Sequence, residues 1–258
     1  MSELIQVEKQ GSIAVLTINN PPANTWTEQS LTDLKQTIQD LNADKNNYSL
    51  VITGQGEKFF SAGADLTLFA DGDIAVASTM SRVFGAAFEA LSDYTGVSIA
   101  AINGYAMGGG LECTLSCDIR IAEEQAVLAL PEAKVGLLPC AGGTQNLTWL
   151  VGEGWAKKMI LCGEQVKAPK ALEIGLVEEV VAKGESLTRA LELAKQVANQ
   201  SPSSVRVCKS LIMAARDNPM RQALPAEREE FVNLFDTEDQ AEGVNAFLEK
   251  RKPVWKNQ

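Results

Sequence analysis

Strands alternating with helices to about residue 195, and helix after helix from Glu185 onward, predict an α/β core followed by a helical tail. The chain has 258 residues and 45% hydrophobic content, enough for one large domain or one domain with an appendage. The expected division is a core over residues 1–195 and a helical region over residues 196–258. No internal repeat and no low-complexity tract interrupts this pattern.

The elements follow in order. Leu4–Val7 and Ile13–Ile18, on either side of Gln10-Gly11, read as a β-hairpin that Asn20-Pro21-Pro22 ends. Thr25 and Glu28 fit a capping box for a helix with the apolar stripe Leu31, Leu34, Ile38 and Leu41. Leu50–Thr53 is a short buried strand stopped by Gly54 and Gly56. In Lys58–Leu66 the small residues Ser61 to Ala64 form a loop that lets a ligand approach the backbone. Asp73 to Leu91 is Ala-rich and helical, with Val76, Met80, Phe84, Ala87 and Leu91 on one face. Ile99–Ile102 is strand-like, and Asn103-Gly104 turns the chain into Gly108, Gly109 and Gly110, which open a helix at Leu111. Ile119–Ile121 and Val127–Leu130 read as strands, Gly142-Gly143-Thr144 starts another helix, and Val177–Val181 is a late strand. In the tail, Ser201-Pro202 caps a helix carrying Val205, Cys208, Leu211 and Ala215. Thr237 with Gln240 caps another carrying Ala241, Val244 and Leu248.

Composition narrows the chemistry. A net charge of −10 argues against nucleic acid as a partner, because phosphate binding wants a basic face. No run of 18 apolar residues is present and the start, MSELIQVEKQ, lacks a signal-peptide pattern, so the expectation is a cytoplasmic protein with no membrane span. Cys113, Cys117, Cys140, Cys162 and Cys208 are odd in number and form no C-x-x-C pair, so they read as reduced thiols; Cys140, in the Gly-rich PCAGG stretch, is the one candidate for a functional thiol. The chain has no histidine. That removes Ser-His-Asp and Cys-His nucleophilic mechanisms and the common zinc sites other than all-Cys ones. Acid–base chemistry must then come from Asp, Glu, Lys, Tyr or Cys.

The stretch Ile99–Asp118 carries the strongest functional signal. A Gly-rich turn opening a helix leaves several N–H groups without internal partners, all pointing one way. Such donors hold an anion, or an oxygen that becomes anionic during a reaction. Glu112 follows on the first turn, aimed near the same spot.

AGAD at Ala62–Asp65, GGGLE at Gly108–Glu112, and LPE at Leu130–Glu132 followed by VGLLPCAGGTQ occur in one order. With NPPAN near the start and EDQAEGVNAFLEKRKPVW at the end, the chain resembles the enoyl-CoA hydratase/isomerase (crotonase) superfamily over nearly its whole length. The resemblance implies a spiral of ββα units with a helical C-terminal region that packs trimers, often paired into hexamers. It implies an acyl-CoA thioester as substrate, with coenzyme A as part of that substrate and no separate cofactor or metal. The N–H groups that would bind the thioester oxygen fall on Ala64 and Gly109. Backbone around Ala62 to Leu66 would hold the adenine end, and Lys250 matches a position that reaches the CoA phosphates, sometimes from a neighbouring subunit. Lys58 is a second candidate, because an acidic protein binding a phosphorylated ligand needs a local basic patch.

Members that hydrate enoyl-CoA carry two glutamates, which match Glu112 and Glu132 here; the resemblance makes Glu132 the acid at the α-carbon and Glu112 the activator of water. The alternatives are an enoyl-CoA isomerase or other acyl-CoA lyase using one glutamate, and a non-catalytic acyl-CoA binder. The sequence departs from the family pattern at Trp26, Leu128-Ala129, Cys140, Asn146 and Trp149, which puts acyl-chain preference in question.

Overall fold

The computed structural model describes residues 2–258. The hairpin is present as β1 (Ile5–Gln10) and β2 (Ile13–Ile18), paired antiparallel. Helix α1 (Glu28–Ala43) buries Leu31, Leu34, Ile38 and Leu41, as its stripe requires. Its cap differs from the sequence expectation: Thr27 is the N-cap and closes a capping box with Ser30, not Thr25 with Glu28. The reason lies just upstream. Asn24 adopts φ 52°, and Trp26 forms a strand-like bridge to Ala64, so the chain is not free to turn helical until Thr27.

Three strand–strand–helix units follow: β3 (Ser49–Gly54), β4 (Phe59–Ser61) and α2 (Ile74–Ser92); β5 (Val97–Ile102), β6 (Tyr105–Met107) and α3 (Gly109–Leu115); β7 (Ile119–Glu123), β8 (Val127–Ala129) and α4 (Gly143–Leu161). In each unit the first strand joins a six-stranded sheet, in the order β1-β2-β3-β5-β7-β10, where β10 is Glu179–Val181. The second joins a four-stranded sheet, β4-β6-β8-β9, where β9 is Val166–Lys167. Pairing from β2 to β10 is parallel, as connections through helices demand. Repeating the unit winds the chain into a spiral between the two sheets. Beside the sheets lie α5 (Ala168–Glu173) and α6 (Ser186–Val197), the latter burying Ala190 and Ala194 against Val51, Ile99 and Ile121 of the large sheet. A division after residue 195 therefore cuts α6, which belongs with the core.

Helix α2, with Asp73 as N-cap, buries Met80, Phe84, Ala87, Phe88 and Leu91 and packs beside α1. By length and composition alone it is also apolar enough to cross a bilayer.

The tail comprises α7 (Pro202–Ala214), α8 (Met220–Asn233) and α9 (Glu238–Leu248). Lys209 ties α7 to the core by donating to the Gly96 carbonyl at 3.0 Å and to Asp118 at 2.7 Å. Buried Asp239 accepts from Ser203 at 3.0 Å and from the N–H groups of Lys256 and Asn257 at 2.8 and 3.1 Å, which folds the last residues back onto α9. The apolar stripes expected of this region are only partly covered within the chain: Val205 and Leu211 on α7 are half-buried, while Cys208, Ala215 at the C-cap of α7, and Ala241, Val244 and Leu248 on α9 are exposed.

Candidate active site

Strand β5 ends at Ile102, β6 brings the chain back, and Gly108 delivers it into α3 with φ 53°, a left-handed value glycine adopts at no steric cost. A side chain there would be strained by that φ and would press on the acid opposite, its Cβ 3.0 Å from Glu132 Oε1. The N-terminal N–H groups of α3, Gly109 first, have no partner inside the helix. Next to them lies the segment after β4. A Cβ at Gly63 would meet the Met107 carbonyl at 2.7 Å and the Gly109 nitrogen at 3.2 Å, so the two backbone stretches run in contact.

Ala64 is turned by its own neighbours. Trp26 N–H donates to the Gly63 carbonyl at 2.8 Å and Asp65 N–H donates to the Trp26 carbonyl at 3.1 Å. Bonds on both sides of Ala64 face Trp26, so the Ala64 N–H points to the opposite edge, where a cavity of about 590 Å³ opens. Ala62, Gly63, Ala64, Leu66, Gly108, Gly109, Glu112 and Glu132 all line it. Its remaining wall is largely apolar, including Phe69, Met80, Phe84, Leu137 and Leu138.

The two glutamates reach this cavity from different supports. Glu112, 3% exposed, sits on α3. Its Oε1 accepts from the N–H groups of Ala141 at 2.8 Å and Gly143 at 2.9 Å. Gly143 is the first residue of α4 and Ala141 stands just ahead of its N-cap Gly142, so the entry to a helix is aimed at a carboxylate. Burial pushes the Glu112 carboxyl above its usual range, and the two N–H donors pull against that push. Glu132 sits on a single 3₁₀ turn, Glu132–Val135, after Pro131. Its Oε2 is buried with no hydrogen-bond partner among the described residues. Burial first, and then the neighbouring Glu112 charge, raise its pKa to about 7, against its own backbone N–H. The arrangement is two neighbouring carboxyls on unequal supports, Glu112 with two N–H donors that oppose its burial and Glu132 with a proton kept to near neutrality, which suits paired base and acid work.

Cys140 lines the same cavity. Burial of its thiol, then Glu112 and Glu132, raise its pKa to about 11. The thiol therefore stays protonated at neutral pH, opposite to what a nucleophilic cysteine needs.

A model of the enoyl-CoA hydratase/isomerase family matches residues 8–258. The chain belongs to that family. It is 38% identical over 247 residues to the short-chain-enoyl-CoA hydratase of Clostridium acetobutylicum, covering 95% of each chain. Among solved structures, DspI of Pseudomonas aeruginosa is 65% identical with a TM-score of 0.97, covering 99% of this chain and 97% of that one. The enoyl-CoA hydratase of Bacillus anthracis is 35% identical with a TM-score of 0.95, covering 99% of this chain and 100% of that one. These likenesses make the spiral of strand–strand–helix units a crotonase fold.

The two lysines expected at the CoA end are not brought to the cavity. Lys58 lies over the Phe59 ring, 5.2 Å from its centre, and Lys250 sits at the end of α9 with φ 56°. The cation that does line the cavity is Lys134, which the sequence reading passed over. It also missed Ala141 and Gly143 as holders of Glu112. Their sequence signal is the helix start at Gly142-Gly143-Thr144, and in the structure a Cβ at Gly143 would stand 2.8 Å from Glu112 Oε1.

Proposed function

We propose that this family member is an enoyl-CoA hydratase that adds water across the double bond of a 2-enoyl-CoA thioester to give a 3-hydroxyacyl-CoA. The observation that carries the reading is the unequal pair of carboxyls, Glu112 held by two N–H groups and Glu132 Oε2 held by none, facing one cavity with Ala64 and Gly109. The thioester oxygen lies between the Ala64 and Gly109 N–H groups. Glu112 takes a proton from water as the water oxygen bonds to the β-carbon. The π electrons move onto the thioester oxygen as an enolate, which the two N–H groups stabilise; one such donor is worth ~3 kcal/mol of barrier. The enolate collapses and takes the Glu132 proton at the α-carbon. One hydroxyl and one hydrogen are added, and no redox step is needed. The apolar wall of Phe69, Met80, Phe84, Leu137 and Leu138 suits an aliphatic acyl chain, and Ala62 to Leu66 suit the adenine end of CoA.

The test is conversion of a panel of 2-enoyl-CoA thioesters in ¹⁸O-labelled water, following loss of the conjugated absorbance and the mass of the product. Uptake of one labelled oxygen supports hydration. Migration of the double bond without label would make the protein an isomerase instead, and no turnover would leave it a binder.

Assembly as a homotrimer or dimer of trimers, with the tail as its contact region, is part of the same proposal. It is supported by the apolar side chains that α8 and α9 expose, Phe231, Val232, Phe247 and Leu248, together with Phe235 in the 3₁₀ turn between the two helices. In this reading Lys250, which does not line its own chain's cavity, serves CoA across a subunit boundary. Light scattering at micromolar concentration checks this; a monomer overturns it. A cytoplasmic location is proposed on the five unpaired thiols, which a reducing compartment preserves.

A further inference from the structure

Both donor segments meet one residue that the chemistry above does not use. Trp26 is fully buried. Its main chain runs beside Ala64 as an isolated parallel bridge, with the two flanking hydrogen bonds of 2.8 and 3.1 Å that turn the Ala64 N–H into the cavity. Its ring reaches the other donor: Cδ1 lies 3.4 Å from where a Cβ on Gly109 would stand. The ring is fixed from behind, edge-on to Phe88 with centres 5.6 Å apart, and Phe88 is edge-on to Phe84 at 5.7 Å. Phe84 in turn stands on the Gly109 side, its Cε1 2.8 Å from the same point. One residue therefore touches Ala64 through its backbone and Gly109 through its side chain.

The indole N–H sharpens the point. A buried indole N–H usually finds a partner, and leaving one unpaired costs stability. Trp26 Nε1 has none among the described residues. Burial alone would be met by any large apolar side chain without that cost, so what the indole adds is a rigid plane of a given width beneath Gly109.

We propose that Trp26 is a positioning residue that sets the spacing of the two N–H donors, its main chain fixing Ala64 and its ring flooring Gly109. The inference rests on the reading of Ala64 and Gly109 as the oxyanion donors. The distance between two preorganised donors decides how well both reach one oxygen, and a misplacement on the order of 1 Å costs ~100-fold.

The experiment compares the full-length wild type with Trp26→Leu and Trp26→Phe. The probe is a cinnamoyl-CoA bearing a para-dimethylamino group, whose absorbance moves to the red as its thioester carbonyl is polarised. The red shift on binding is read alongside kcat and KM for a 2-enoyl-CoA. Trp26→Leu is expected to lose about 10- to 100-fold in kcat, with KM changed less than about 3-fold, and most of the red shift. Trp26→Phe keeps a flat ring and is expected to retain most of both. Should Trp26→Leu fail to fold, Phe88→Leu loosens the ring from behind and is expected to shrink the red shift. A full red shift in folded Trp26→Leu or Phe88→Leu overturns the proposal while leaving the two donors standing. A Trp26→Phe variant as impaired as Trp26→Leu overturns it too, because the N–H rather than the ring would then be the working part. No red shift in the wild type removes the donors themselves, and the proposal with them.

Discussion

The cavity has two unlike sides. On the α3–α4 side the carboxylate is answered: Glu112 sits on a helix, and Ala141 and Gly143, at the entry to another helix, donate two N–H bonds to one of its oxygens. On the other side Glu132 hangs from a single 3₁₀ turn, with one oxygen buried and unanswered. The same side chain thus becomes two different reagents, because burial penalises negative charge in both settings and only at Glu112 do two N–H donors oppose it. Difference of support, and not of residue type, is what the site is built from.

The hardest blow to that contrast is to make the two sides alike. Glu112→Gln and Glu132→Gln keep shape but remove a titrating oxygen. Each is expected to lower kcat by about 100- to 10,000-fold with little change in KM, and the double variant to lose far less than the product of the two losses. A Glu112→Gln enzyme with near-normal turnover would break the idea that both sides work.

The pH dependence sharpens the contrast next. Glu132 donates a proton, so kcat should fall as pH rises through about 7, the value at which its carboxyl ionises. Glu112 must be ionised, and because burial raises it, the acid limb of the profile should lie above the ordinary glutamate range. The two limbs belong to the pair and not to single residues. Stability follows the same sign: the folded protein holds the Glu132 proton more tightly than the unfolded chain does. Denaturation midpoints should therefore decline between about pH 4.5 and 7 and level off above, and Glu132→Gln should flatten that stretch.

A smaller effect comes from pushing on the supported side alone. Gly143→Ala places a methyl group 2.8 Å from Glu112 Oε1 and 2.7 Å from Pro139 Cβ, so the carboxylate or the turn must shift. About a 10-fold loss in kcat is expected, with the acid limb of the pH profile displaced. Wild-type kinetics would mean that the N–H pair does not hold Glu112 in the working state. The smallest effect is expected at Cys140. Its thiol, pushed up to about 11, should react only sluggishly with iodoacetamide at pH 7, and Cys140→Gly should leave kcat within about 3-fold for a short acyl chain. Rapid alkylation that abolishes activity would give the thiol a part in the chemistry.

Much of this was readable in the chain. The stripes of α1 and α2 repeat at helical spacing and turn out buried, because an apolar face inside a single domain has only the core to face. The glycines and glutamates of the motifs named the cavity wall. The second sheet was not readable as such: β4, β6 and β8 have three residues each and β9 has two, too few for any alternation to show. The late strand expected over Val177–Val181 shrinks to three residues for the same reason, since Leu176 and Val177 join the core as a connection. The holders of Glu112 escaped notice because a main-chain N–H carries no residue identity. In the tail the stripes of α7 and α9 were legible as amphipathic, yet periodicity says that a face wants cover and not what supplies it.

The bare oxygen of Glu132 has one more consequence. In the proposed reaction the proton that leaves Glu132 for carbon is not the one that Glu112 receives from water. Each turnover thus ends with the pair inverted, its proton on Glu112, the carboxyl whose Oε1 accepts from two N–H groups. The catalyst must be rewound before it can act again, through bulk water by way of the open cavity. Run in heavy water, every product molecule should therefore carry one deuterium at its α-carbon, because the Glu132 proton is drawn from solvent through the cavity between turnovers.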